Sequence, residues 1–371
     1  MRSRLLTVFL ALLLAATPAV AVADAPATGH PSWSGRLLSA ERVDVTADPF
    51  PDGTRGYRMR YLSTTPGGGY TVVSGFTLLP PGPAPDGGWP VLAWDHGTTG
   101  IGDRCAPSHD PGAAYGSQLG SFLRNGYAIA ATDYAGLGTP GVHPYLISES
   151  EALATVDSVR AARRLAPELS ARWFAVGHSQ GGQASFATAE LAGEYGDGLD
   201  FRGSVAYAPA PNMTPYVDQG PAGDPLEQTF YSMMLVGLKT QHPRLHYADY
   251  LGRRALRLLP EVHRECIDDL IARFVRAGLP AEQFEPDGEA ATKRLRNWFA
   301  ENEIGHERAD GPVFVAQGSA DQVVPRAGTD AIVAGSRSHG STVDYQVYPG
   351  ADHGSVLTAA EADVLAWLAR H

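Results

Sequence analysis

Cysteine is scarce in this sequence: 371 residues contain two, Cys105 and Cys266. That excludes a small scaffold stapled by many disulfides and a site built on several thiolates. Histidine does not supply a metal motif either. His242 and His246 stand four apart, but Pro243 lies between them and no carboxylate motif accompanies them. No glycine loop of the nucleotide-binding kind is present, and no internal repeat. We therefore expect neither a metal nor a cofactor. Basic residues are in deficit, 29 Lys and Arg against 40 Asp and Glu, for a formal net charge of −11. Such a chain is repelled by nucleic acid and gains no charge-driven hold on anionic membranes, which leaves transient contact with a lipid interface as the only membrane association expected. Past the first two dozen residues, no apolar run approaches the roughly 20 residues that cross a bilayer.

The amino terminus has the form of an export signal. Arg2 and Arg4 precede an apolar run over 5–16, then Pro18 and the small residues Ala21-Val22-Ala23. This pattern predicts a secretory signal peptide over 1–23, cleaved near Ala23. In the oxidising surroundings of an exported protein, two cysteines usually pair, so a Cys105–Cys266 disulfide closing a long loop is expected.

Hydrophobic residues make up 44% and charged residues 19%, enough apolar content for a full core. After an Ala- and Pro-rich leader, strands are predicted over 36–46, 58–63 and 70–79, the last two separated by Pro66-Gly67-Gly68-Gly69, as an antiparallel entry into a sheet. From residue 91 the rhythm changes. Short, continuously apolar strands at 91–94, 128–132, 173–176, 204–207, 313–316 and 343–347 suggest a parallel sheet buried on both faces. Helical patterns at 117–125, 149–165, 182–195 and 356–370 lie between or after them. The expectation is an α/β fold with a mostly parallel, doubly wound sheet. Residues 211–310 interrupt it with helical patterns alone, at 226–238, 247–259, 267–277 and 290–300. They read as a helical cap inserted between a first core part, 24–210, and a second, 311–371. Phe230, Met233, Met234, Leu235 and Leu238 could face a substrate pocket or form the cap's own core.

The strongest local signal is Gly177-His178-Ser179-Gln180-Gly181, a G-x-S-x-G between an apolar strand and a helix. This is the context of a nucleophile elbow, in which a sharp turn lifts a serine hydroxyl above the sheet. A serine needs a histidine to take its proton and a carboxylate to hold that histidine. His353 follows the last predicted strand, and Asp321 follows the strand before it; both stand where sites form in open α/β sheets. The histidines at 242, 246, 263 and 306 fall in the cap, and His339 falls at the wrong end of the sheet. Oxyanion donors are expected from the amide of Gln180 and from the loop Asp95-His96-Gly97-Thr98-Thr99-Gly100, where Thr98 is the choice and His96 reads as structural. Asn212-Met213-Thr214 matches a glycosylation sequon.

Several segments together resemble the secretory lipase family of α/β-hydrolases, its actinobacterial members above all. They are His96-Gly97-Thr98-Thr99-Gly100 leading into Cys105-Ala106-Pro107-Ser108, Thr132-Asp133-Tyr134-Ala135-Gly136-Leu137-Gly138, the helix over 149–165, and the serine motif. The resemblance implies the α/β-hydrolase fold, a Ser-Asp-His triad, a helical cap shaping an acyl pocket, lipid or other carboxylic ester substrates, and Cys105 pairing into the cap. Rival readings keep the triad for an acyltransferase or a peptidase, or make the chain a non-catalytic binder. Chain-length preference and oligomeric state are not encoded in any feature of the sequence.

Overall fold

The computed structural model describes residues 33–45, 48–218, 220–221 and 223–371. The predicted signal peptide, residues 1–23, lies outside them.

Nine strands form one sheet: β1 Leu37–Val43, β2 Arg55–Thr64, β3 Tyr70–Leu79, β4 Trp89–Asp95, β5 Ala128–Ala135, β6 Leu169–His178, β7 Asp200–Tyr207, β8 Val313–Gly318 and β9 Val343–Tyr348. Their spatial order is β1-β2-β3-β5-β4-β6-β7-β8-β9. The first three strands pair antiparallel, and β3 meets β5 antiparallel. From β5 onward every pairing is parallel. The central strands alternate between two apolar faces. Leu92, Trp94, Ile129, Phe174, Val176 and Phe314 pack toward one layer of helices. Val91, Ala93, Ala130, Trp173 and Ala175 pack toward the other. Burial on both faces explains why these strands read as unbroken apolar runs.

The helices of the core are α1 Gly116–Arg124, α2 Ser148–Leu165 and α3 Gln180–Tyr195. Leu119, Phe122 and Leu123 of α1 share a face with Val364, Trp367 and Leu368 near the carboxyl terminus. Leu153, Val156 and Val159 of α2 cover the opposite face. Between β7 and β8 come α4 Pro225–Gln241, α5 Arg253–Leu256, α6 Leu259–Val262, α7 Ile267–Ala277 and α8 Gly288–Ala300. After β8 follow α9 Arg326–Ser338, α10 Val356–Ala359 and α11 Glu361–Arg370.

Three details differ from the sequence reading. The helix expected over 247–259 is broken into a single turn at Tyr247–Asp249 and the short α5 and α6. Gly252 stands extended before α5, and Pro260 can only open a new helix, not continue one. The final helix is likewise split, at Ala360. Helix α9 was not foreseen, although Thr329, Ile332, Val333 and Ser336 form a buried stripe along it.

Candidate active site

Ser179 sits between the last residue of β6 and the first of α3, at φ 60° and ψ −118°. A side-chain-bearing residue held there is strained by about 1–3 kcal/mol and persists only where its surroundings fix it. Its N–H donates to the Tyr207 carbonyl at 2.9 Å, and its own carbonyl accepts from Gln183 at 3.1 Å and Ala210 at 2.9 Å. The flanking glycines permit the turn by close approach. A Cβ on Gly181 would lie 1.8 Å from the Asp95 carbonyl oxygen, and one on Gly177 would lie 2.0 Å from that of Gly181. Gln180 opens α3, so its backbone N–H has no partner within the helix.

Asp321 follows β8 and His353 follows β9. His353 Nδ1 donates to Asp321 Oδ2 at 2.8 Å. Asp321 Oδ1 accepts the amides of Val323 at 2.9 Å and Val324 at 2.8 Å, and Gln317 Nε2 reaches Oδ2 at 3.3 Å. Burial opposes ionisation of this carboxyl, but the bonds from His353, Val324 and Val323 outweigh it and hold Asp321 below the ordinary carboxylate range. The His353 ring lies 4.6 Å, centroid to centroid, from that of His178, the residue before Ser179. No hydrogen bond joins the Ser179 hydroxyl to His353 among the described residues. Such bonds often tighten only once substrate is bound.

Ser179 and Thr98 open onto one cavity of about 240 Å³. Its wall is largely apolar, with Leu146, Met213, Val217, Phe230, Met234 and Phe299 prominent. Asp224 and Glu227 also line it, and no basic residue does so among the described residues. On α4 the cavity takes Leu226, Glu227, Phe230, Tyr231 and Met234, the i, i+4 spacing of one helical face. Met233 and Leu235 are buried in a cluster with Leu270, Phe274 and Leu295. Of the apolar residues noted on this helix, Phe230 and Met234 line the cavity and Met233, Leu235 and Leu238 are buried in that cluster.

The secretory lipase family model matches residues 117–371. The chain belongs to the secretory lipase family. It is therefore a carboxylic ester hydrolase. Solved structures show the same α/β-hydrolase fold. Candida antarctica lipase A superposes with a TM-score of 0.72 at 18% identity, covering 86% of this chain and 78% of that one. The ligand-bound esterase LipA of Xanthomonas oryzae, described as degrading rice cell walls, gives 0.71 at 21%, covering 90% and 97%. A Legionella pneumophila protein gives 0.73 at 19%, covering 91% and 99%. A search of curated proteins finds no match.

In this secretory lipase, the loop bearing Thr98 is fastened from several sides. The Thr98 hydroxyl bonds the Tyr145 hydroxyl at 2.8 Å. Cys105 and Cys266 form a disulfide. Beside it, the Thr99 carbonyl accepts from Ile267 at 2.9 Å, so the loop is tied to the segment that leads into α7. His96 is buried, its pKa lowered by that burial, with Nδ1 against the Gly97 carbonyl at 2.7 Å. Asn212 of the sequon is engaged: its side chain donates to the Ile304 carbonyl at 2.9 Å and accepts the Ile304 amide at 3.0 Å.

Four residues near the site escaped the sequence reading. Burial, reinforced by the neighbouring His353, lowers His178 to about 4, so its imidazole is neutral. Its Nε2 donates to the His353 carbonyl at 2.8 Å, and the Tyr115 hydroxyl donates to its Nδ1 at 3.0 Å. Tyr115 in turn accepts the Gly97 amide at 3.1 Å. One chain of hydrogen bonds therefore links the Thr98 loop, the elbow and the His353 loop. Behind Gln180 lie His143 and Glu151, both fully buried; burial drives His143 down to about 3 and Glu151 up to about 8. Glu151 was detectable as an acid in a helix otherwise dense in small and apolar residues, and the stretch from Ser150 to Val159 is buried throughout. Tyr115, His143 and His178 carry no such signal, since their partners are remote in sequence.

Proposed function

We propose that the chain is a secreted lipase or esterase that cleaves acyl esters through a Ser179-His353-Asp321 triad and a covalent acyl-enzyme. The carrying observation is the strained Ser179 in the lining of an apolar cavity, next in the chain to His178, which bonds the carbonyl of the His353 that Asp321 holds. Ser179 Oγ attacks the ester carbonyl while its proton passes to His353 Nε2. Asp321 fixes the tautomer that leaves this nitrogen free and stabilises the imidazolium. The amide of Gln180 and a donor from Thr98 bind the oxyanion. The carbon–oxygen bond to the alcohol breaks, and the alcohol leaves with the proton from His353. Water then adds to the acyl carbon, giving His353 a proton that returns to Ser179 as the acid is released. Residues 211–310 act as a cap that receives the acyl chain, largely along α4. Export follows from the signal pattern over 1–23, in keeping with the name of the family.

Ser179→Ala is expected to lower kcat on short p-nitrophenyl esters by about 10⁴-fold or more, and to abolish labelling by a fluorophosphonate probe. A variant that keeps most of the activity overturns the triad.

A further inference from the structure

Gln180 contributes more than a backbone amide. Its side chain is buried, and both N–H bonds of its carboxamide are committed. One reaches Glu151 Oε1 at 2.7 Å and the other reaches His143 Nε2 at 3.0 Å. His143 can accept there because its Nδ1–H is spent on the Ala135 carbonyl at 3.0 Å. Glu151 Oε1 accepts a second bond, from the Leu146 amide at 3.0 Å. Leu146 has φ 57°, an uncommon backbone state for a leucine, and it lines the cavity. The residue before it, Tyr145, holds the Thr98 hydroxyl. One carboxyl on α2 thus grips the start of the nucleophile helix and, through a single loop, the opposite donor segment.

We propose that Glu151 is a positioning residue of the oxyanion hole, fixing the Gln180 amide and the Thr98 loop at their mutual spacing. The inference rests on the acyl-enzyme reading above. A mis-set donor weakens the hydrogen bond to the developing negative oxygen more than it weakens binding of the neutral ester, because only the former gains from donors fixed in advance. Tyr115 also ties the Thr98 loop to the elbow, through the Gly97 amide and His178, but it does not touch the side chain of Gln180, which Glu151 holds.

The test compares Glu151→Met, which offers no oxygen and only a weakly accepting sulfur, with Glu151→Gln, which keeps an oxygen for both donors. Gln180→Leu cuts the same link from the other side while retaining the backbone amide, and it decides the matter should the methionine variant fold poorly. Glu151→Met and Gln180→Leu are expected to lower kcat about ten- to a hundredfold, with KM changed less than about threefold. Inhibition by a boronic acid, which forms a tetrahedral adduct, should weaken in parallel, whereas inhibition by the matching carboxamide should hold. Glu151→Gln should restore most of kcat. The proposal falls if Glu151→Met or Gln180→Leu turns over like the native enzyme, if boronic acid and carboxamide weaken equally, or if Glu151→Gln is as slow as Glu151→Met. Ser179→Ala, assayed alongside, separates the two levels. An active Ser179→Ala sinks the acyl-enzyme reading and this proposal together. An inactive Ser179→Ala beside a native-like Glu151→Met sinks this proposal alone.

Discussion

Single residues around the site hold unusual protonation states, and these give stability a predictable pH dependence. Burial raises Glu151 to about 8 from an ordinary value of 4.5, although the bonds from Gln180 and Leu146 oppose the rise. Between those values the native state keeps a proton that the unfolded chain has lost. The stability this confers is complete below pH 4.5 and is lost as pH climbs through about 8. Glu151→Gln removes the titration. Its thermal midpoint, measured against the native protein, should gain steadily from pH 4.5 to 8; a constant difference would contradict the assignment. His143 and His178 act with the opposite sign. Their ordinary value is 6.5, and burial lowers them to about 3 and about 4. Stability from these two is therefore lost as pH falls below 6.5 toward those values, and differential scanning calorimetry in acid should show the decline.

At the scale of elements, the elbow depends on atoms that are absent. The carbonyl of Asp95 occupies the space a side chain at position 181 would fill. Gly181→Ala must push β4 away from α3, and a loss of at least about 3 kcal/mol is expected, read as unfolding at lower denaturant or as insoluble expression. Helix α4 makes a milder prediction. Met234 contributes to the cavity wall, so Met234→Ala should enlarge the pocket and move the preferred acyl chain toward greater length across an acetyl-to-palmitoyl ester series. These elements also show what the sequence could convey. Strands β4 to β8 were legible because they are buried on both faces, and Ser179, Asp321 and His353 were singled out because each stands just past a strand end. Helix α9 carries a helical stripe, half of it the polar Thr329 and Ser336, and the run over 247–259 looked continuous because helical periodicity survives a glycine and a proline that the backbone does not. The hydrogen-bond partners of His178 and Glu151 depend on which strands become neighbours, and no local pattern carries that information.

For the whole molecule, the Cys105–Cys266 bridge spans 161 residues and joins the stretch after β4 to the start of α7. Closing so long a loop restricts the unfolded chain by up to about 5 kcal/mol on the chain-entropy account. The double variant Cys105→Ser/Cys266→Ser should melt at a clearly lower temperature. It should also lose catalytic rate, since the cross-link secures the Thr98 loop; an unchanged midpoint would mean that the bridge is dispensable.

The cavity wall treats what enters and what leaves unequally. A neutral ester meets methionine, phenylalanine and valine, and the two acids, Asp224 and Glu227, cost it little. Hydrolysis turns that guest into an anion, and among the described residues the lining carries the carboxyl of Asp224 and no lysine or arginine. A carboxylate product should therefore be held more weakly than the ester it came from, and added product acid should slow turnover little in progress curves.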